Sequence, residues 1–278
     1  MSTTMTSKAR AAAPGSGDWK ETLGRVGLIG KGVLFAVIGI LAIQLATGDQ
    51  ANASQTGAIQ WIAEQPFGKF LLVLMTLALF ALAAWRLLDA AMGDPVEGSE
   101  ASDRVKYAVK GVLYLSLAIA SLTITISNWS GSGSSSSSQS SQSGGGNQQA
   151  TATILEWPGG RWLVGLLGLA VIGYALYQVK KQAIDADFTT RIDVGEDHWI
   201  SKLGRFGYAA RSIVYVMVGW FFLQAAITYD PNQSKGLSGT LQELAGGGFG
   251  QFVLWVVAIG LLAYGAFTIA EAKHRVAA

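Results

Sequence analysis

The sequence predicts an all-α polytopic membrane protein, six transmembrane helices forming three parallel two-helix repeats around a pseudo-threefold axis. Three observations lead there. Half of the 278 residues are hydrophobic while only 14% are charged, more apolar surface than a soluble fold of this size can hide. Six apolar stretches each reach the roughly 20 residues that a helix needs to cross a hydrocarbon core about 30 Å thick. One short motif also returns along the chain.

The spans are expected near residues 27–47, 68–91, 107–127, 161–183, 207–229 and 250–270. In lipid each must be a helix, because no other open segment satisfies its own backbone hydrogen bonds. The first follows a polar stretch, 1–23, that reads as a disordered N-terminal segment; it is longer than the apolar core of a signal peptide and reads as a retained helix. Repeat 1 then covers 24–92, repeat 2 covers 103–183, a polar loop covers 184–203, and repeat 3 covers 204–272. Within repeat 2, residues 130–149 are nearly all Ser, Gly and Gln and read as a flexible outer tether.

Basic residues fall on one side. Arg25 precedes the first span, Arg86, Arg104, Lys106 and Lys110 flank the turn between the second and third, and Lys180, Lys181, Lys202, Arg205 and Arg211 flank the turn between the fourth and fifth. Lys273 and Arg275 follow the sixth, whereas only Lys69, Arg161 and Lys235 lie opposite. The positive-inside rule then places both termini in the cytoplasm of a bacterial inner (plasma) membrane.

Gly24-Arg25-Val26-Gly27 returns 180 residues later as Gly204-Arg205-Phe206-Gly207, and at the same offset Lys31, Phe35, Gly39 and Gln44 become Arg211, Tyr215, Gly219 and Gln224. The middle copy keeps Arg104, Lys110-Gly111-Val112-Leu113 and Tyr114. Before each second helix the chain breaks at Gln65-Pro66-Phe67-Gly68, Trp157-Pro158-Gly159-Gly160 or Gly247-Gly248-Phe249-Gly250. A two-helix unit crosses twice, so every copy enters from the same side, and the inverted repeats of many secondary transporters are disfavoured. This pattern resembles the bacterial membrane family called domain of unknown function 1206, whose members carry three such repeats. The resemblance implies a six-helix inner-membrane protein and implies no activity, cofactor or catalytic residue.

Composition removes several functions. The chain has no Cys and two His, which leaves no thiolate chemistry and little for a haem or zinc site. The net charge of +2 is too small for a nucleic-acid surface. No nucleophile with a base, metal cluster or carboxylate pair can be assembled, so neither an enzyme nor a cofactor is expected. The expected partners are the lipid bilayer and another membrane protein.

The residues that stand out are Lys31, Lys110 and Arg211, each six positions beyond a boundary arginine, about 9 Å deeper along the helix. Asp89 and Glu271 lie at the same level, which suggests the pairs Lys31 with Asp89 and Arg211 with Glu271; repeat 2 carries Lys181 at that place. The three cations either form a ring that binds an anionic ligand or lipid head group, or reach the interface and staple each hairpin. No ionisable group lies at a span midplane, which disfavours a coupled transporter. Gln44, Gln178, Gln224, Thr123 and Thr125 are suited to interhelical hydrogen bonds, and Gly32, Gly39, Gly165, Gly168, Gly173 and Gly219 to close packing. Residues 58–63 and 237–244 read as short amphipathic helices in the outer interface, with Trp61 and Trp157 as anchors. Glu64 and Glu156, and the acidic stretch around Asp193 and Asp197, read as solvated loop residues. A structural or assembly subunit is the leading expectation, with a passive pore or permease for a small or anionic ligand as the alternative.

Overall fold

A computed structural model describes residues 18–93, 100–129, 151–157, 159–185, 188–189 and 199–274. The N-terminal stretch up to residue 17, the Ser/Gly-rich tether and most of the acidic turn, Asp193 and Asp197 included, lie outside the described residues. Among those described every regular element is helical, and six helices are long and apolar enough to span a membrane.

They are α1 (Asp18–Ala46), α3 (Gly68–Met92), α4 (Ala101–Trp129), α5 (Gly160–Gln178), α6 (Trp199–Thr228) and α8 (Gly248–His274), with the short α2 (Gln55–Glu64) and α7 (Leu237–Ala245) between spanning helices of repeats 1 and 3. The elements α1, α4 and α6 begin six to nine residues before the expected apolar spans, because intrahelical hydrogen bonding continues beyond the hydrocarbon: 29 residues make a rod of about 43 Å. Ser54 starts α2 by accepting the Gly57 N–H at 3.0 Å. Phe67, in the left-handed region at φ 64°, turns the chain into α3. A π-helical turn, Val179–Ile184, continues α5.

Glycine sets which helices meet. A Cβ added at Gly27 would come within 2.7 Å of the Leu82 backbone, and one at Gly207 within 2.6 Å of the Tyr264 backbone. These close approaches, with Gly30 against Ala78 and Ala210 against Gly260, join the antiparallel helices within repeats 1 and 3. Between repeats, Gly39 meets Leu262, Gly219 meets Ile172, Gly32 meets Ile269 and Gly111 meets Leu87. The second helix of each repeat thereby packs on the first helix of the next, α3 on α4, α5 on α6, and α8 back on α1.

Repeat 2 differs. Among the described residues α4 and α5 share no extensive packing. Aligned on Arg25 and Arg104, the places of Gly24, Gly27 and Gly30 are taken by Asp103, Lys106 and Val109. Their side chains fill the space a close crossing needs, and Asp103 accepts a hydrogen bond from Lys106 at 3.0 Å in an exposed ion pair.

The main core lies between repeats 1 and 3, where Leu34, Ile38, Leu79, Leu254 and Leu261 are fully buried together with Ile59 of α2 and Leu241 of α7. The two short helices, expected flat in the interface, bury Ile59 and Ile62 of α2 and Leu241 and Leu244 of α7 against the bundle. Trp157 is exposed and Trp61 half-buried against this core. In the α3–α4 seam the Thr76 hydroxyl hydrogen bonds with Ser121 at 2.7 Å and with Thr125 at 3.2 Å, so Thr125 acts between helices as expected. Thr123 instead donates to the Ile119 carbonyl of its own helix.

Candidate functional site

The basic residues inside the odd-numbered spans do not take the partners expected for them. Asp89 is fully buried on α3 and accepts from Arg86, three residues earlier on the same helix, at 3.1 Å. Residues three apart on a helix are neighbours, so this pair forms without help from α1. The Arg86 guanidinium also lies over the Trp85 ring, 4.1 Å from its centroid, and 5.8 Å from the Tyr107 ring of α4. Lys31 therefore does not hold Asp89. Its ammonium sits 5.3 Å from the ring centre of Tyr264 on α8.

Arg211 is likewise not paired with Glu271. It donates to the Tyr264 hydroxyl and is surrounded by four rings, Tyr264 at 4.7 Å, Tyr215 at 5.2 Å, Tyr208 at 5.7 Å and Phe35 at 5.8 Å. Aromatic faces attract cations, most strongly where water is excluded, and Arg211 is only 9% exposed. Its Nε is buried without a hydrogen-bond acceptor. Glu271, 4% exposed, acts electrostatically on Lys31 instead, as do Arg211, Arg86 and the Tyr114 phenol. Lys110 is half-buried on α4, next to the Gly111 that meets Leu87.

The cluster draws on all six spanning helices: Lys31, Arg86, Tyr114, Tyr174, Arg211 and Tyr264 come from α1, α3, α4, α5, α6 and α8 in turn. The Tyr174 ring on α5 lies 6.3 Å from that of Tyr215 on α6, and it acts electrostatically with Arg211, Tyr264 and Tyr114. These tyrosines are repeat-related. Counting from Gly68, Gly160 and Gly250, the same register holds Leu82, Tyr174 and Tyr264, while Phe35, Tyr114 and Tyr215 share a register on the first helices. Arg86, Gln178 and Thr268 share another, and the Gln178 Oε1 is buried with no donor.

Sequence reasoning placed Lys31 and Arg211 but missed Arg86, Tyr174, Tyr208 and Tyr264. The available signal was the second-helix alignment, where Tyr174 and Tyr264 share a register two turns before the level of Lys181 and Glu271. Among the described residues no group of three or more metal-ligating side chains occurs. Outside the spans, hydrogen bonds from the Asn232 N–H and the Gln233 side chain hold the exposed Asp230 carboxyl below the usual carboxylate range, where it caps a 3-10 turn.

Six helices long and apolar enough to cross a membrane, with Arg86, Asp89, Arg211 and Glu271 buried among them, fit a polytopic membrane protein. The pattern of the Domain of Unknown Function (DUF1206) matches residues 26–93, 105–182 and 206–275, one segment on each two-helix unit, and the chain belongs to that family. It is similar to the uncharacterized protein YxxB of Bacillus subtilis (strain 168), 30% identical over 265 residues that cover 92% of each chain. No solved structure matches.

Proposed function

We propose that the chain is a non-enzymatic structural or assembly subunit of the bacterial inner membrane, a bundle built about a pseudo-threefold axis with both termini in the cytoplasm, which supports other membrane proteins. The seams carry this reading. Each junction from one repeat to the next uses residues in equivalent registers, Gly39 with Leu262 like Gly219 with Ile172, and Gly32 with Ile269 like Gly111 with Leu87. Such interlocking favours a rigid body, and the apolar core between repeats 1 and 3 is filled with side chains. The orientation rests on the excess of Lys and Arg at the end where α1, α4 and α6 begin.

The alternative, a passive route for an anionic solute, is favoured by one observation, the gathering of Lys31, Arg211 and Arg86 among six helices. Reconstitution into liposomes separates the two. The structural reading expects chloride and phosphate efflux equal to that of empty vesicles, together with a defined complex with a membrane-protein partner on mild-detergent purification. Efflux that rises with protein density and falls in Arg211→Gln would replace it with the permeation reading.

A further inference from the structure

We infer that Lys31 and Arg211, with Tyr114 and Tyr174 on the flanking helices, bind the phosphate of an anionic lipid that enters sideways between α4 and α5. Arg211 carries five N–H donors in a fixed fork suited to oxyanions. It gives a bond to the Tyr264 hydroxyl, and its buried Nε has no acceptor. The Lys31 ammonium faces the same Tyr264 ring, and no hydrogen bond from it to a carboxylate occurs among the described residues. The carboxylates that share the region are Asp89, which is bonded to Arg86, and Glu271, which acts on Lys31. Among the described residues the charged groups that act on Lys31 are two cations, Arg211 and Arg86, and one carboxylate, Glu271, so the surroundings of Lys31 and Arg211 favour an added negative charge.

Depth and access point to a lipid. Lys31 lies about 9 Å along α1 from Arg25, near the level of head groups rather than at the bilayer centre. Among the described residues the α4–α5 junction, unlike the other five between neighbouring spanning helices, shows no extensive packing, and Val109, Val112 and Tyr174 are exposed on the two helices that bound it. Tyr114 and Tyr174, one on each of these helices, carry hydroxyls that can donate to phosphate oxygens and rings that suit the start of an acyl chain.

The test uses full-length protein, delipidated in a neutral detergent, and follows its thermal unfolding midpoint with added phosphatidylglycerol, phosphatidylcholine or inorganic phosphate. Phosphatidylglycerol is expected to raise the midpoint saturably and phosphatidylcholine to leave it unchanged. Lys31→Gln and Arg211→Gln should each weaken the phosphatidylglycerol response roughly fivefold to tenfold, while Lys69→Gln at the opposite end retains it. If Arg211→Gln does not fold, Lys31→Gln and Tyr174→Phe carry the comparison. Equal responses to the two lipids, an unchanged response in Lys31→Gln, or inorganic phosphate matching phosphatidylglycerol at equal concentration would each overturn the proposal. Liposome efflux is scored separately, so this site and the structural role fail by different measurements.

Discussion

The outer repeats and the middle repeat carry the same motif and pack differently. In repeats 1 and 3 the first helix reaches its own second helix through Gly24, Gly27 and Gly30, or Gly204, Gly207 and Ala210. In repeat 2 the corresponding residues are Asp103, Lys106 and Val109, and among the described residues α4 and α5 share no extensive packing while each packs tightly on a neighbouring repeat. The comparison teaches that association here follows small residues at a few crossing points: α5, apolar enough to span a membrane, packs on α6 through Gly168 and Gly219 rather than on α4. Lipid satisfies an apolar surface as well as another helix does, so only close backbone approach or a buried polar bond favours protein over lipid.

The largest difference between the repeats is expected where charge is buried. Arg86→Met removes an ion-pair partner of the fully buried Asp89 and should destabilise the bundle by about 3 kcal/mol, whereas Gln178→Met at the same register of repeat 2 removes an amide oxygen with no donor among the described residues and should be close to neutral. Equilibrium unfolding of the two variants in mixed micelles measures the contrast. Next come the crossing points. Gly27→Leu and Gly207→Leu push a side chain into a facing backbone and should each cost about 3 kcal/mol, while Lys106→Leu, at the same register of the open repeat, should change stability by no more than about 0.5 kcal/mol. Tyr264→Phe takes the hydroxyl acceptor from Arg211 and should cost about 2 kcal/mol, read by the same unfolding curves. The smallest effect belongs to Gly173, whose added Cβ meets nothing within 4 Å; Gly173→Ala should stabilise α5 by up to about 1 kcal/mol.

Much of this architecture was legible in the chain. The six spans, the three units and the packing role of Gly32, Gly39, Gly168 and Gly219 follow from apolar length and repeated spacing, which depend on composition and register alone. The charge partners did not follow, because Lys31 with Asp89 and Arg211 with Glu271 were matched by depth, and depth says nothing about the direction in which each side chain leaves its helix. The Arg86–Asp89 pair was readable from its three-residue spacing. Tyr264 was harder to find, since its counterpart in repeat 1 is Leu82 and only the assembled bundle turns it toward both Lys31 and Arg211. The opening in repeat 2 was written in Lys106 standing where Gly27 stands, but its consequence depends on the glycine crossing that the folded repeats 1 and 3 make visible.

The chain has no cysteine, so paired cysteines in native membranes report the open junction directly. Gly30→Cys with Ala78→Cys in repeat 1 should form a disulfide under mild oxidation, because the two Cβ positions meet in the α1–α3 crossing. Val109→Cys with Ala170→Cys, at the same registers of repeat 2, should remain reduced. Equally rapid cross-linking of both pairs would contradict the separation of α4 from α5 on which this account depends.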